Sequence, residues 1–134
     1  MVPFRDRCSY DVAHHDAGKM WFKEDPSFEY LPFEIGKFRN SLASSSGARA
    51  LAFFRKYFEW VDSQLSSGHN VLVHCLAGAH RAGTAGIAYL MHACKLDRIK
   101  ATAMAKAARP VIKPIYGLLD LLTTLELGLE TKPK

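Results

Sequence analysis

The sequence predicts an α/β domain with a central sheet flanked by helices. Short segments of strand character occur at 28–33 and 71–73, helix patterns surround them, and 134 residues suffice for one core. Hydrophobic residues make up 49% of the chain and charged residues 23%, which argues against disorder. We therefore expect a single domain over 1–134, with a weakly structured segment at 1–27 and a recognisable core at 28–129.

Local patterns predict the first elements in order. Aromatic or apolar residues alternate with others at 28–33, which favours a strand that ends at Pro32. A serine-rich loop follows at 41–47. The next segment has an apolar stripe at spacings of three and four, which indicates a helix capped by Gly68. The stripe consists of Leu51, Phe54, Phe58, Val61 and Leu65.

The second half of the chain continues with a strand and two helix patterns. Residues 71–73 are apolar on both faces, which is typical of a buried central strand. The helix stripes that follow are Ile87, Leu90, Met91 and Cys94, and then Leu118, Leu122, Leu125 and Leu129.

Composition excludes several classes of function. No apolar run is long enough for a membrane span, and the first residues lack a signal core. Three cysteines without short spacing favour a reducing compartment, so we expect a cytoplasmic protein, with the nucleus also compatible. The net charge of +5 is spread along the chain, which argues against nucleic-acid binding. No residue spacing indicates a metal site, and we expect no cofactor.

The most informative segment is VLVHCLAGAHR at 71–81, where Arg81 follows Cys75 by six residues. A strand, a tight loop and a helix N-terminus form an anion site, because unpaired amides and the helix dipole converge there. The same field stabilises a thiolate, which makes Cys75 a candidate nucleophile. Arg81 can clamp two phosphate oxygens with its planar guanidinium. The segment therefore predicts a cysteine-dependent phosphatase, with a buried core cysteine as the alternative.

The loop residues have separate expected roles. The amides of Leu76, Ala77, Gly78, Ala79 and His80 are expected to bind the phosphoryl oxygens, where charge develops in the transition state. Gly78 allows a backbone conformation closed to other residues. His74 is expected to support the thiolate from behind the loop, or else to be a core histidine without a chemical role.

The segment HCLAGAHRAGTAGIAYLM at 74–91 resembles the HCxxGxxR signature of protein tyrosine phosphatases, and within them the dual-specificity subclass. RPVIKPIYG at 109–117 is similar to the RPxIxPxxG segment of those domains, and 99–108 occupies the place of the helix before it. The resemblance implies a protein tyrosine phosphatase-like fold, a phosphocysteine intermediate and a phosphorylated protein as substrate.

The chain departs from the family pattern at two catalytic positions. Members carry Ser or Thr after the arginine, where its hydroxyl helps the cysteine leave, and this chain has Ala82. Thr84 is a supporting residue whose hydroxyl is expected to bond locally. Members also carry an Asp general acid, but alignment places Lys37 or Ile35 at that position. Glu34 is the nearest carboxylate and the candidate substitute.

These departures keep an alternative function open. A pseudophosphatase would bind phosphorylated partners with little turnover, and an arsenate reductase or sulfur transferase would use the same loop. Because 1–23 lacks the apolar strand that the resemblance implies beside 71–73, we expect a short or divergent N-terminal part. An open sheet edge would then let two copies form a homodimer.

Overall fold

The computed structural model describes residues 7–9, 25–41, 45–75 and 78–130. Three strands and five helices occur in this part of the chain: β1 (Arg7–Ser9), β2 (Glu29–Leu31), α1 (Ile35–Arg39), α2 (Gly47–Ser66), β3 (Val71–Val73), α3 (Arg81–Cys94), α4 (Arg98–Ala108) and α5 (Gly117–Glu130). None of these helices is both long and apolar enough to cross a lipid bilayer. The predicted α/β class is confirmed.

The sheet is parallel and has the order β2-β1-β3. Cys8 of β1 is aligned with Tyr30 on one side and with Leu72 on the other. The expectation that 1–23 supply no strand beside 71–73 is therefore wrong at 7–9. A three-residue strand between two others is held by backbone hydrogen bonds, so it needs no apolar pattern of its own.

β3 is an edge strand within the described sheet rather than the expected central one. β1 pairs with one side of β3, and no other described strand pairs with the second side. Leu72 is 40% exposed, so β3 is also not buried on both faces. A homodimer through this sheet stays a prediction.

The core lies between α2, α3 and α5, and the predicted helix stripes supply most of it. Phe54, Ile87 and Leu125 are completely buried. The predicted burial is wrong for two stripe residues. Leu65 is 47% exposed and Cys94 is exposed, because each lies in the last turn of its helix. Gly68 follows α2 at a φ of +80°, as the capping prediction requires.

An aromatic stack fixes the turn between β2 and α1. The ring of Phe33 lies 4.6 Å from that of Phe53 and 4.7 Å from that of Tyr57, both on α2. Phe38 of α1 stacks on Phe53 at 4.1 Å. The rings therefore hold α1 in place, a short helix that the sequence pattern did not predict.

A polar group, which we call the Asp62 cluster, joins α2 to α3. It consists of Asp62, Tyr89 and His92: the Tyr89 hydroxyl lies 2.5 Å from Oδ1 of Asp62, and Nε2 of His92 lies 2.9 Å from Oδ2. Partial burial raises the pKa of Asp62, but the hydrogen bonds from Tyr89 and His92, together with the charges of His92 and Lys95, outweigh it and hold the pKa below its usual range.

A close backbone contact joins α2 to α5. An ideal Cβ on Gly47 would lie 2.9 Å from the backbone nitrogen of Gly128, and a Cβ on Gly128 would collide with the backbone oxygen of Gly47. Only glycine at both positions allows the helices to approach this closely.

Candidate active site

The candidate loop connects the end of β3 to the start of α3. His74 and Cys75 follow the strand directly, and Arg81 is the first residue of the helix. Gly78 has a φ of +69°, the left-handed region that favours glycine. Leu76 and Ala77 lie outside the described residues, so the predicted contribution of their amides stays a prediction.

The Cys75 thiol lies at the amino end of α3. The backbone N–H of Ala82 donates a hydrogen bond to Sγ of Cys75 over 3.4 Å. The positive end of the helix dipole lies at the same place. The sulfur therefore lies at the start of α3, and its role as the nucleophile stays a prediction.

Arg81 lines the same pocket as the Cys75 thiol. Its aliphatic stem packs on Gly36 of α1, where an added Cβ would be 3.8 Å from Cδ of Arg81. Partial burial lowers the pKa of Arg81, but guanidinium begins so far above neutrality that it keeps its charge. The pocket is lined by Phe33, Ile35, Val73, His74, Cys75, Arg81, Ala82 and Ala85.

The hydroxyl of Thr84 does not face the sulfur. Its Oγ1 donates to the carbonyl oxygen of His80 over 2.6 Å, and the backbone N–H of Thr84 donates to the same oxygen over 2.9 Å. The side chain is fully buried, so it stays in this local bond. Thr84 consequently supports the loop and cannot substitute for the hydroxyl that Ala82 lacks.

Glu34 is beside the pocket without being part of its lining. Its neighbours Phe33 and Ile35 line the pocket, whereas the Glu34 carboxylate lies 3.2 Å from Nζ of Lys37 in an exposed ion pair. The structure therefore does not bring the carboxylate of Glu34, the residue before α1, to the thiol. A role for Glu34 as general acid stays a prediction.

The structure shows that the segment after α4 contacts the loop, a contact that the sequence did not predict. The backbone N–H of Lys113 donates to the carbonyl oxygen of Ala79 over 2.8 Å, and the guanidinium of Arg109 covers Gly78. The resemblance at 109–117 marked this stretch, but only the tertiary structure shows that it touches the loop. No group of His, Cys, Asp or Glu side chains in the described part of the chain is placed to hold a metal ion.

Comparison with known proteins agrees with this geometry. The model of the family "dual specificity phosphatase, catalytic domain" matches residues 12–126. The dual specificity protein phosphatase Mpk3 of Drosophila melanogaster is 31% identical over 113 residues, which cover 84% of this chain and 26% of that protein. The mouse dual specificity protein phosphatase 19 is 35% identical over 81 residues, or 60% of this chain and 37% of that protein. The chain thus spans about a quarter to a third of the length of these curated relatives.

Solved structures share the fold. The crystal structure of human DUSP28 superposes with a TM-score of 0.71 at 22% identity, over 95% of this chain and 80% of that one. The human tyrosine phosphatase-like serine/threonine/tyrosine-interacting protein gives a TM-score of 0.73 at 23% identity, over 96% and 80%. Together with the family match over most of its length, the loop geometry shows that this chain belongs to the dual specificity phosphatase catalytic domain family.

Proposed function

We propose that this chain hydrolyses phosphate monoesters in proteins, phosphotyrosine first and phosphoserine or phosphothreonine more slowly. One observation carries the proposal. Sγ of Cys75 accepts a hydrogen bond from the backbone N–H of Ala82 at the start of α3, and Arg81 lines the same pocket. Nucleophile, helix amides and guanidinium thus converge on a single phosphoryl group.

The reaction proceeds in two displacements. The Cys75 thiolate attacks phosphorus, an S–P bond forms, and the bond to the leaving oxygen breaks. Arg81 and the loop amides stabilise the charge on the three other phosphoryl oxygens. Water then attacks phosphorus, the S–P bond breaks, and the thiolate and inorganic phosphate are released. Each step needs no redox partner.

Protonation of the leaving oxygen distinguishes the substrate types. Because no carboxylate among the described residues lines the pocket, we expect the leaving group to depart with little help from a general acid. Aryl oxides tolerate this, whereas serine and threonine alkoxides need a proton, and lacking a general acid costs about 10²–10⁴-fold. Phosphotyrosine is therefore the preferred substrate class of this site.

The test is hydrolysis of an aryl phosphate by the purified chain and by Cys75→Ser. Cys94→Ser is the matched control, because Cys94 is an exposed thiol at the far end of the same helix. Loss of activity in Cys75→Ser with full activity in Cys94→Ser supports the proposal. Equal residual activity in both variants contradicts it.

A binding role without turnover is the second candidate, favoured by Ala82 and by the position of Glu34. Such a protein would bind a phosphorylated partner through the same loop. Rapid-quench measurements separate the two: a burst of product with continued turnover supports catalysis, whereas inorganic phosphate binding without any burst supports the binding role.

A further inference from the structure

The imidazole of His80 is held by a backbone carbonyl outside the loop. Its Nδ1 lies 2.7 Å from the carbonyl oxygen of Lys113. A carbonyl oxygen only accepts hydrogen bonds, so Nδ1 carries a proton and donates it. The ring is thus tied to Lys113 through Nδ1.

Lys113 makes a second contact with the same half of the loop. Its backbone N–H donates to the carbonyl oxygen of Ala79 over 2.8 Å, while the carbonyl of His80 is occupied by Thr84. The C=O and N–H of a trans peptide unit point in opposite directions. Holding the carbonyl of Ala79 on Lys113 thus turns the N–H of His80 to the other side of the loop.

The residues around Lys113 are themselves anchored. Ile112 packs on the backbone of α3 at Gly83, where an added Cβ would lie 2.8 Å from its Cγ2. At the other end, Nη2 of Arg109 lies 3.0 Å from the position of a Cβ on Gly78. We call residues 109–113 the brace, because they contact the loop at Gly78, Ala79 and His80 and rest on α3.

We propose that His80 is a positioning residue for the phosphate-binding loop, acting through its Nδ1–H bond to the brace. The bond holds Ala79 and His80 in place, so that the amides of the loop are oriented for phosphoryl oxygens before a substrate arrives. The inference rests on the proposed function of the same site. It also accounts for the side chain at 80, because a residue without a donor at the position of Nδ1 could not bond to the carbonyl of Lys113.

The test uses amide side chains that imitate one ring nitrogen each. The amide nitrogen of His80→Asn occupies a position near Nδ1, whereas that of His80→Gln extends to the position of Nε2, and His80→Ala has no donor. Alkylation of Cys75 by iodoacetate is followed on its own peptide by mass spectrometry at increasing inorganic phosphate. Protection by phosphate gives a Kd that requires no turnover.

We expect His80→Ala and His80→Gln to raise the phosphate Kd roughly three- to tenfold, the loss of one hydrogen bond, and His80→Asn to stay within about twofold of wild type. Steady-state kinetics on an aryl phosphate should show the same order in KM with a smaller change in kcat. Thermal unfolding of each sample verifies that it is folded at the assay temperature.

Two results would overturn the inference: equal Kd values for wild type and all three variants, or a Kd for His80→Asn as weak as that for His80→Ala. Failure of the proposed hydrolysis has a different signature. Wild-type protein that phosphate protects but that releases no product contradicts the hydrolysis, while the order of the variant Kd values still decides the role of His80.

Discussion

Placing a hydroxyl at position 82 should accelerate the second chemical step. The backbone nitrogen of Ala82 is already 3.4 Å from Sγ of Cys75, and the residue is only 8% exposed, so a Ser hydroxyl there lies within reach of the sulfur. During hydrolysis of the phosphocysteine the leaving thiolate gains negative charge. A hydrogen bond to a charged group contributes about 1.5–3 kcal/mol, which corresponds to roughly 10- to 150-fold in rate.

The assay is rapid-quench kinetics of Ala82→Ser on an aryl phosphate. We expect wild type to show a burst followed by slow turnover, and the variant to show a smaller burst with a larger kcat. Ala82→Thr and Ala82→Val form a shape-matched pair, because only the former adds a hydroxyl. Equal acceleration by Thr and Val, or unchanged kcat in Ala82→Ser despite a wild-type burst, would refute the reasoning.

The remaining predictions concern stability. Gly128→Ala should lose about 1–3 kcal/mol of unfolding free energy in urea titrations, because its Cβ meets the backbone of Gly47, whereas Gly86→Ala has open space and should gain about 0.5–1 kcal/mol. Lys95 has a φ of +57° after α3, a backbone conformation that costs a residue other than glycine about 1 kcal/mol. Lys95→Gly should therefore raise the melting temperature. The folded-state pKa of Asp62 lies below its ordinary 3.8, so its stabilising contribution is present above that pH and lost as the pH falls through the folded value. Asp62→Asn should therefore show a shallower loss of stability in acid, measured by urea unfolding at pH 7 and pH 3, and an equally steep loss would contradict the assignment.

Periodicity identified the elements whose own residues form the core. Phe54, Ile87 and Leu122 recur on helix faces, and all are buried as their spacing indicates. β1 could not be predicted in this way, because its partners lie far away in sequence and its pairing uses the backbone.

The candidate site likewise combines residues that a local pattern predicts with contacts that depend on the tertiary structure. Cys75 and Arg81 are recognisable because a local spacing and a helix start define them. The contacts of Lys113 with Ala79 and His80 depend on how α4 returns the chain to the loop, which no local pattern encodes. The absence of Glu34 from the pocket lining likewise depends on tertiary placement, since Glu34 is adjacent in sequence to two lining residues.

β1 lies between β2 and β3, and it therefore fixes the position of one wall of the pocket relative to the other. Phe33 follows β2 and Cys75 follows β3, and within the described sheet these strands are related only through β1. A slip of one residue between β1 and β3 would displace the sulfur by about 3.3 Å along the sheet, the length of a hydrogen bond. The three residues of β1 thus help to set the distance between Phe33 and Cys75 across the pocket, although they lie far from both in the sequence.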